Sequence, residues 1–176
     1  FVDSRNLAYA KKTDMSSGVY GNNYAGLAVD GNYGRSFQTE RDKNQWWQVD
    51  LGKPHSLGEI ILNDKSFSGK EQLPLHILGG MNGKDFETLA IVTQRGNDTP
   101  WRIPLSGQMA QVIRLQSPTK TSLSFGEIEI LPPAGQIDEN PLHLFIQSKP
   151  ITSKTIDLIR SVAQAAASDN IQAIRS

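Results

Sequence analysis

WWQVDLG (residues 46–52) alternates apolar and polar side chains. Trp47, Val49 and Leu51 fall on one side of an extended chain, and Trp46, Gln48 and Asp50 on the other. Successive strand residues point to opposite faces, so the run predicts a strand with one buried face. Trp47 is assigned to the core. Trp46 then belongs at the loop end or in a half-buried position. The same period of two returns in LGEIILN (57–63), LPLHILG (73–79), ETLAIVTQ (87–94), AQVIRLQS (110–117) and LSFGEIEIL (123–131). Gly, Pro, Asn, Asp or Ser bounds each run. Short strands at this spacing predict an all-β, antiparallel sandwich or barrel. GMNGKDFE (80–87) reads as a hairpin connection, because Asn82-Gly83 is a strong turn pair. Trp101, after Pro100, is expected to pack.

Upstream, residues 1–44 hold few strand-like runs. SSGVYGNNYAG (16–26) reads as a structured loop, and NNYAGLAVDG (22–31) has room for one short helical turn. Downstream, PPAGQ (132–136) marks a domain boundary. Residues 134–151 read as linker or strand. Ile156, Ile159, Val162, Ala163, Ala166, Ile171 and Ile174 fall near a 3.6-residue period, so 152–176 is predicted as a helical tail, or the start of a following domain.

The chain has 176 residues, and 18 Lys+Arg balance 18 Asp+Glu. The balance is regional too, with 14 of each sign in 1–133 and 4 of each in 134–176. No basic surface is evident for nucleic acid, and no polybasic segment for an acidic membrane. Cysteine is absent, which excludes disulfides, thiolate zinc sites and a cysteine nucleophile. The chain opens on Phe1, which suggests removal of a signal peptide or of a preceding region.

Four motifs in order carry a family resemblance over roughly residues 5–132. NLAYAKKTDMSSGVYGNNYAGLAVDGN (6–32) resembles the opening of discoidin, or coagulation-factor type C, domains. WWQVDLGKPHSLGEI (46–60), MNGKDFETLA (81–90) and LSFGEIEIL (123–131) are similar to that family's tryptophan strand, hairpin and closing strand. The nearest subgroups are the family 32 carbohydrate-binding modules and the fucose-binding lectins. The resemblance implies an eight-stranded antiparallel jelly-roll sandwich over 1–133, and implies nothing for the tail.

The Asp30-Gly31-Asn32 stretch has two readings. It can be a turn in which Asp30 bonds its own backbone. It can also be half of a calcium site, since a hard cation wants six to eight oxygens and a tight loop brings its own carbonyls together. The resemblance implies the second. It places the ion on the Leu27 carbonyl, the Asp30 carboxylate, the Asn32 carbonyl, the Ser36 hydroxyl, the Gly126 carbonyl and the Glu127 carboxylate. Such an ion would pin two loops and take no part in catalysis. Glu129 is left to solvent.

In the related lectins a histidine follows the D-G-N loop and two arginines follow a later strand. Here Gln38 stands at the histidine position, and NDKSFSGKEQ (63–72) contains no arginine. A fucose site of that kind is therefore not implied. The loops still carry groups suited to sugar hydroxyls: Gln38, Glu40, Asn63, Lys65 and Lys70. Phe67 and Tyr20 are loop aromatics able to stack on a ring. A galactose-type or acidic sugar is the expected ligand.

His55, His76 and His143 form no metal spacing, and no nucleophile elbow, P-loop or H-E-x-x-H occurs. A glycosidase needs two acids across a cleft, whereas Glu127 and Glu129 share one strand face. The expectation is a non-catalytic carbohydrate-binding module that brings a larger secreted or cell-surface protein to glycans. The competing reading is a protein- or phospholipid-interaction module of the discoidin type, with Phe67 and Tyr20 as apolar spikes. A third makes the sandwich a spacer and the tail its docking element.

Overall fold

The computed structural model describes residues 3–18, 24–63, 72–94 and 100–135. The chain divides into two compact units, Phe1–Ile137 and Asp138–Ser176. The second unit, with the expected helical tail, lies outside the described residues.

Among its described residues the first unit holds ten strands and one 3-10 turn. In order they are β1 (Lys12–Met15), the turn Ala25–Ala28, β2 (Phe37–Gln38), β3 (Gln45–Ser56), β4 (Glu59–Asn63) and β5 (Leu75–Gly80). Then come β6 (Glu87–Val92), β7 (Trp101–Pro104), β8 (Met109–Ser117), β9 (Ser124–Phe125) and β10 (Glu127–Leu131). A five-stranded sheet runs β1-β3-β8-β5-β6 and a three-stranded sheet runs β10-β4-β7. These are the eight strands of the expected sandwich. The two-residue strands β2 and β9 pair separately, and every ladder is antiparallel.

The period-two runs explain the layers. Trp47, Val49 and Leu51 of β3, Ile113 and Leu115 of β8, and Leu75 and Ile77 of β5 enter the core from the larger sheet. Ile128 and Ile130 of β10, Ile60 and Leu62 of β4, and Trp101 and Ile103 of β7 enter it from the smaller one. Trp47 is fully buried and Trp46 half-buried, as one face in and one face out requires. On the outer face, the Arg114 guanidinium lies between the Trp46 ring (4.3 Å) and the Phe86 ring (4.2 Å). Gln48 accepts from its Nε and Nη2 at 3.0 and 2.6 Å.

A line of aromatic contacts crosses the core. Trp47 stacks on Phe37 at 5.9 Å, Phe37 meets Phe125 at 6.1 Å, and Phe125 meets Trp101 edge-on at 6.2 Å. The minor β2–β9 ladder thus supplies the two phenylalanines that join the sheets. The Trp47 indole donates to the Ala25 carbonyl at 2.9 Å, which anchors the 3-10 turn. The N-terminal Asn6 side chain accepts from the Ala8 and Ile130 amides, both at 3.0 Å, so the opening N-L-A stretch docks on β10.

Three features differ from the sequence reading. β7 is a core strand although WRIP is only four residues long and ends in proline. β3 continues to Ser56 through a register irregularity after Asp50, where Gly52 adopts φ 88°. LSFGEIEIL is two strands, because Gly126 interrupts it. As expected, Asn82 closes the β5–β6 hairpin: its Oδ1 accepts from the Lys84 and Asp85 amides at 2.9 and 3.0 Å.

Phe125 is fully buried and touches both Phe37 and Trp101. Phe125→Ala should therefore cost about 3–5 kcal/mol in urea unfolding, and Phe125→Leu distinctly less. Equal costs for the two would show that the loss lies in the ring contacts themselves and not in the volume removed.

Candidate metal and glycan site

The D-G-N loop links the 3-10 turn to β2. Asp30 precedes Gly31, whose φ of 77° only glycine takes without strain. Asp30 Oδ1 accepts the Asn32 amide at 2.8 Å, and Asn32 Oδ1 accepts the Gly34 amide at 2.9 Å. The turn reading of this stretch is thus correct as far as it goes. Arg35 Nη2 pairs with Asp30 Oδ2 at 3.0 Å.

A second carboxylate meets this loop from the other end of the domain. Glu127 opens β10, and its Oε2 accepts the Gly31 amide at 3.2 Å. The residue is fully buried, and its Oε1 has no hydrogen-bond partner. A buried carboxylate with an idle oxygen is costly unless something positive or protic answers it. Burial pushes the Glu127 carboxyl up to about 7, and the charges of Asp30 and Glu129 add to the shift. The Gly31 amide opposes it.

Gly126 makes the approach possible. A Cβ there would lie 3.2 Å from the Arg35 carbonyl oxygen, 3.3 Å from that of Asn63 and 3.6 Å from that of Tyr33. A side chain here would press on the Arg35 and Asn63 carbonyls, so glycine lets these backbones come close beside Glu127. Its own amide donates to the Asn63 carbonyl at 2.8 Å.

These features fit a hard cation. A buried, under-satisfied carboxylate abuts an Asp-Gly turn, with backbone carbonyls close by. No group of three or more His, Cys, Asp or Glu side chains forms a metal cluster among the described residues. Two carboxylates would therefore need backbone oxygens to complete a shell. Leu27 lies in the 3-10 turn and Asn32 in the loop, while the Ser36 side chain is exposed just before β2.

Glu129 is not left to solvent. It is 8% exposed, and its Oε1 accepts from the Tyr33 hydroxyl at 2.9 Å and the Asn63 amide at 3.3 Å. Tyr33 comes from the D-G-N loop and Asn63 from the end of β4, so Glu129 ties three segments together. Burial and the bond to Glu129 push the Tyr33 hydroxyl up to about 12, which keeps it a donor. Nothing in the sequence pairs Tyr33 with Glu129. The β10–β4 register, Glu127 opposite Asn63 and Glu129 opposite Ile61, creates the link.

Of the sugar-binding candidates, Gln38 is exposed on β2 beside Ser124 of β9. Glu40 is exposed, with its amide donating to Ser17 Oγ at 3.0 Å. The Asn63 amide is committed to Glu129. Tyr20, Lys65, Phe67 and Lys70 lie outside the described residues.

Known proteins add to this geometry. The lectin domain of lectinolysin, solved with Lewis B antigen, shares 25% identity at a TM-score of 0.67, covering 76% of this chain and all of that one. A Streptococcus pneumoniae fucose binding module shares 26% identity at a TM-score of 0.65, covering 74% and 98%. A chitosan-binding module of a Paenibacillus sp. IK-5 chitosanase/glucanase, at 22% identity and a TM-score of 0.61, covering 72% and 99%, shares the fold. No curated protein sequence matches. The family model described as a NedA-like, galactose-binding domain matches residues 27–115, a span that runs from the 3-10 turn through the D-G-N loop and the tryptophan strand into β8. The chain therefore belongs to the F5/F8 type C family, in its NedA-like galactose-binding branch.

Proposed function

We propose that the chain is a non-catalytic glycan-binding module whose loop end is pinned by a structural calcium ion. The buried Glu127 carboxylate, with an unpartnered oxygen against the Asp30-Gly31 turn, carries this reading. Asp30 and Glu127 would supply the charge. The carbonyls of Leu27, Asn32 and Gly126 and the hydroxyl of Ser36 would complete the shell. The ion's chemistry would be charge neutralisation: it would hold the D-G-N loop against β10. The protein groups nearby do the rest, with Tyr33 and Asn63 fixing Glu129 and thereby the ends of β10 and β4.

Sugar binding at the loop end would use Gln38 and Glu40, with Lys65, Phe67, Lys70 and Tyr20 as further contacts and Asn63 chiefly in support. A galactose-type or acidic sugar suits these groups. The lectin domain solved with Lewis B and the pneumococcal fucose binding module support glycan binding as the role. The module would act within a secreted or cell-surface protein and deliver the rest of it to glycans. No described helix is long and apolar enough to cross a membrane.

The cation is tested through stability. The Glu127 carboxyl stands near 7 in the folded chain, above its ordinary 4.5. Between those values the folded state holds a proton that the unfolded state has released. Cation-free stability should therefore be full below about pH 4.5 and fall as pH rises through 7, by roughly 2–3 kcal/mol. Calcium should abolish the fall. Glu127→Gln should remove both the fall and the calcium-dependent rise in Tm. A calorimetric titration without calcium heat, together with a flat pH profile, would refute the metal site.

The glycan role is tested on an array, with and without chelator. Binding should weaken when calcium is withdrawn. Gln38→Ala should lower affinity for the best ligand by about tenfold or less, in line with one lost hydrogen bond. No binding to any glycan with calcium present, combined with liposome co-sedimentation, would favour a lipid-interaction module instead.

A further inference from the structure

The three-stranded sheet has an outer face as well as an inner one. Register sets Glu129, Ile61 and Arg102 in one cross-strand row and Leu131, Glu59 and Pro104 in the next. The alternate rows, Ile128–Leu62–Trp101 and Ile130–Ile60–Ile103, are the core rows. On the outer face lies an open groove of about 470 Å³, within the size range of ligand sites. Ile61 and Leu131 lie at its floor and are almost wholly covered, at 4% and 5% exposed. Pro100, Pro104 and Pro132 add ring surface.

Two ion pairs lie on this groove. Arg5 pairs with Asp3 at 2.7 Å, and Arg102 with Glu59 at 2.8 Å. The third carboxylate, Glu129, is engaged by Tyr33 and Asn63. A charged ligand entering here must break a pair or sit beside a like charge. A neutral ligand rich in hydroxyls meets no such penalty. Carboxylates have about four acceptor positions and a guanidinium five N–H donors, so hydroxyls can add to existing pairs. Arg102 is 59% exposed at its side chain and spends Nη1 on Glu59. The accessible rings of Pro100, Pro104 and Pro132 suit the C–H faces of a sugar ring.

We propose that this groove is a second saccharide site, taking a neutral glycan chain along the outer face of the small sheet. Its apolar surface and its ion pairs share no side chain with Gln38, Glu40 or Asn63. The groove and the loop end therefore answer to different variants.

Amide chemical shifts of the full chain read the two places separately. Neutral galacto-, gluco- and fuco-configured trisaccharides would be titrated to about 10 mM, where even millimolar affinity registers. Shifts are expected at Glu59, Ile61 and Arg102. Arg102→Ala, at an exposed position, should weaken that response about fivefold or more, and Glu59→Gln should do likewise. Trigalacturonate and a glucosamine trimer, charged probes of equal length, should respond more weakly. Groove shifts with silent amides at 30–38 would support the groove while counting against the loop-end reading. Silent groove amides with all three neutral sugars, an unchanged response in both variants, or a stronger response to either charged trimer would overturn the proposal.

Discussion

Glu127 carries a carboxylate into a place from which water is excluded, 96 residues along the chain from the amide that donates to it. A charge so placed has to be answered, or it raises its own pKa and weakens the fold. Much of the surrounding structure provides for that carboxylate. Gly31 turns its amide toward it. Gly126 gives up a side chain so that the Tyr33–Arg35 backbone and Asn63 can close in. One strand position on, Glu129 is engaged by the Tyr33 hydroxyl and the Asn63 amide. The first and last thirds of the domain are joined through this cluster of polar groups.

The apolar side of the same junction is the aromatic line from Trp47 through Phe37 and Phe125 to Trp101. Phe125 and Glu127 flank Gly126 and act on opposite sides of it. Phe125 fills the core between the sheets, and Glu127 faces the loop. The short β2–β9 ladder therefore matters far more than its length suggests. It sets where the closing segment leaves the core and where it meets the D-G-N loop.

The smaller sheet presents two surfaces of different chemistry. At its loop end, Arg35 pairs with Asp30, Tyr33 and Asn63 engage Glu129, and one oxygen of the buried Glu127 carboxylate has no hydrogen-bond partner. Farther along, at Arg102 and Glu59, each charge already has an opposite neighbour, and aliphatic side chains lie between. Charge demand at one place and charge balance at the other follow from the same alternation along β10 and β4.

Alternation was enough to determine the strands β3, β4, β5, β6 and β8, the assignment of Trp47 to the core and the all-β class, because a period of two is a local property of a half-buried chain. The D-G-N turn was also legible from its residue types, and the approach of Glu127 to it was expected only through the resemblance of four motifs in order. Tertiary structure alone decided that β7 is a core strand, since WRIP is too short to show a period. It also decided that Glu129 is buried and bonded to Tyr33 and Asn63, that Arg114 lies between Trp46 and Phe86, and that two ion pairs border a groove. Each of these depends on which residues stand opposite one another across strands distant in sequence. Register is set by the packing of the whole sandwich, and no local stretch of chain encodes it.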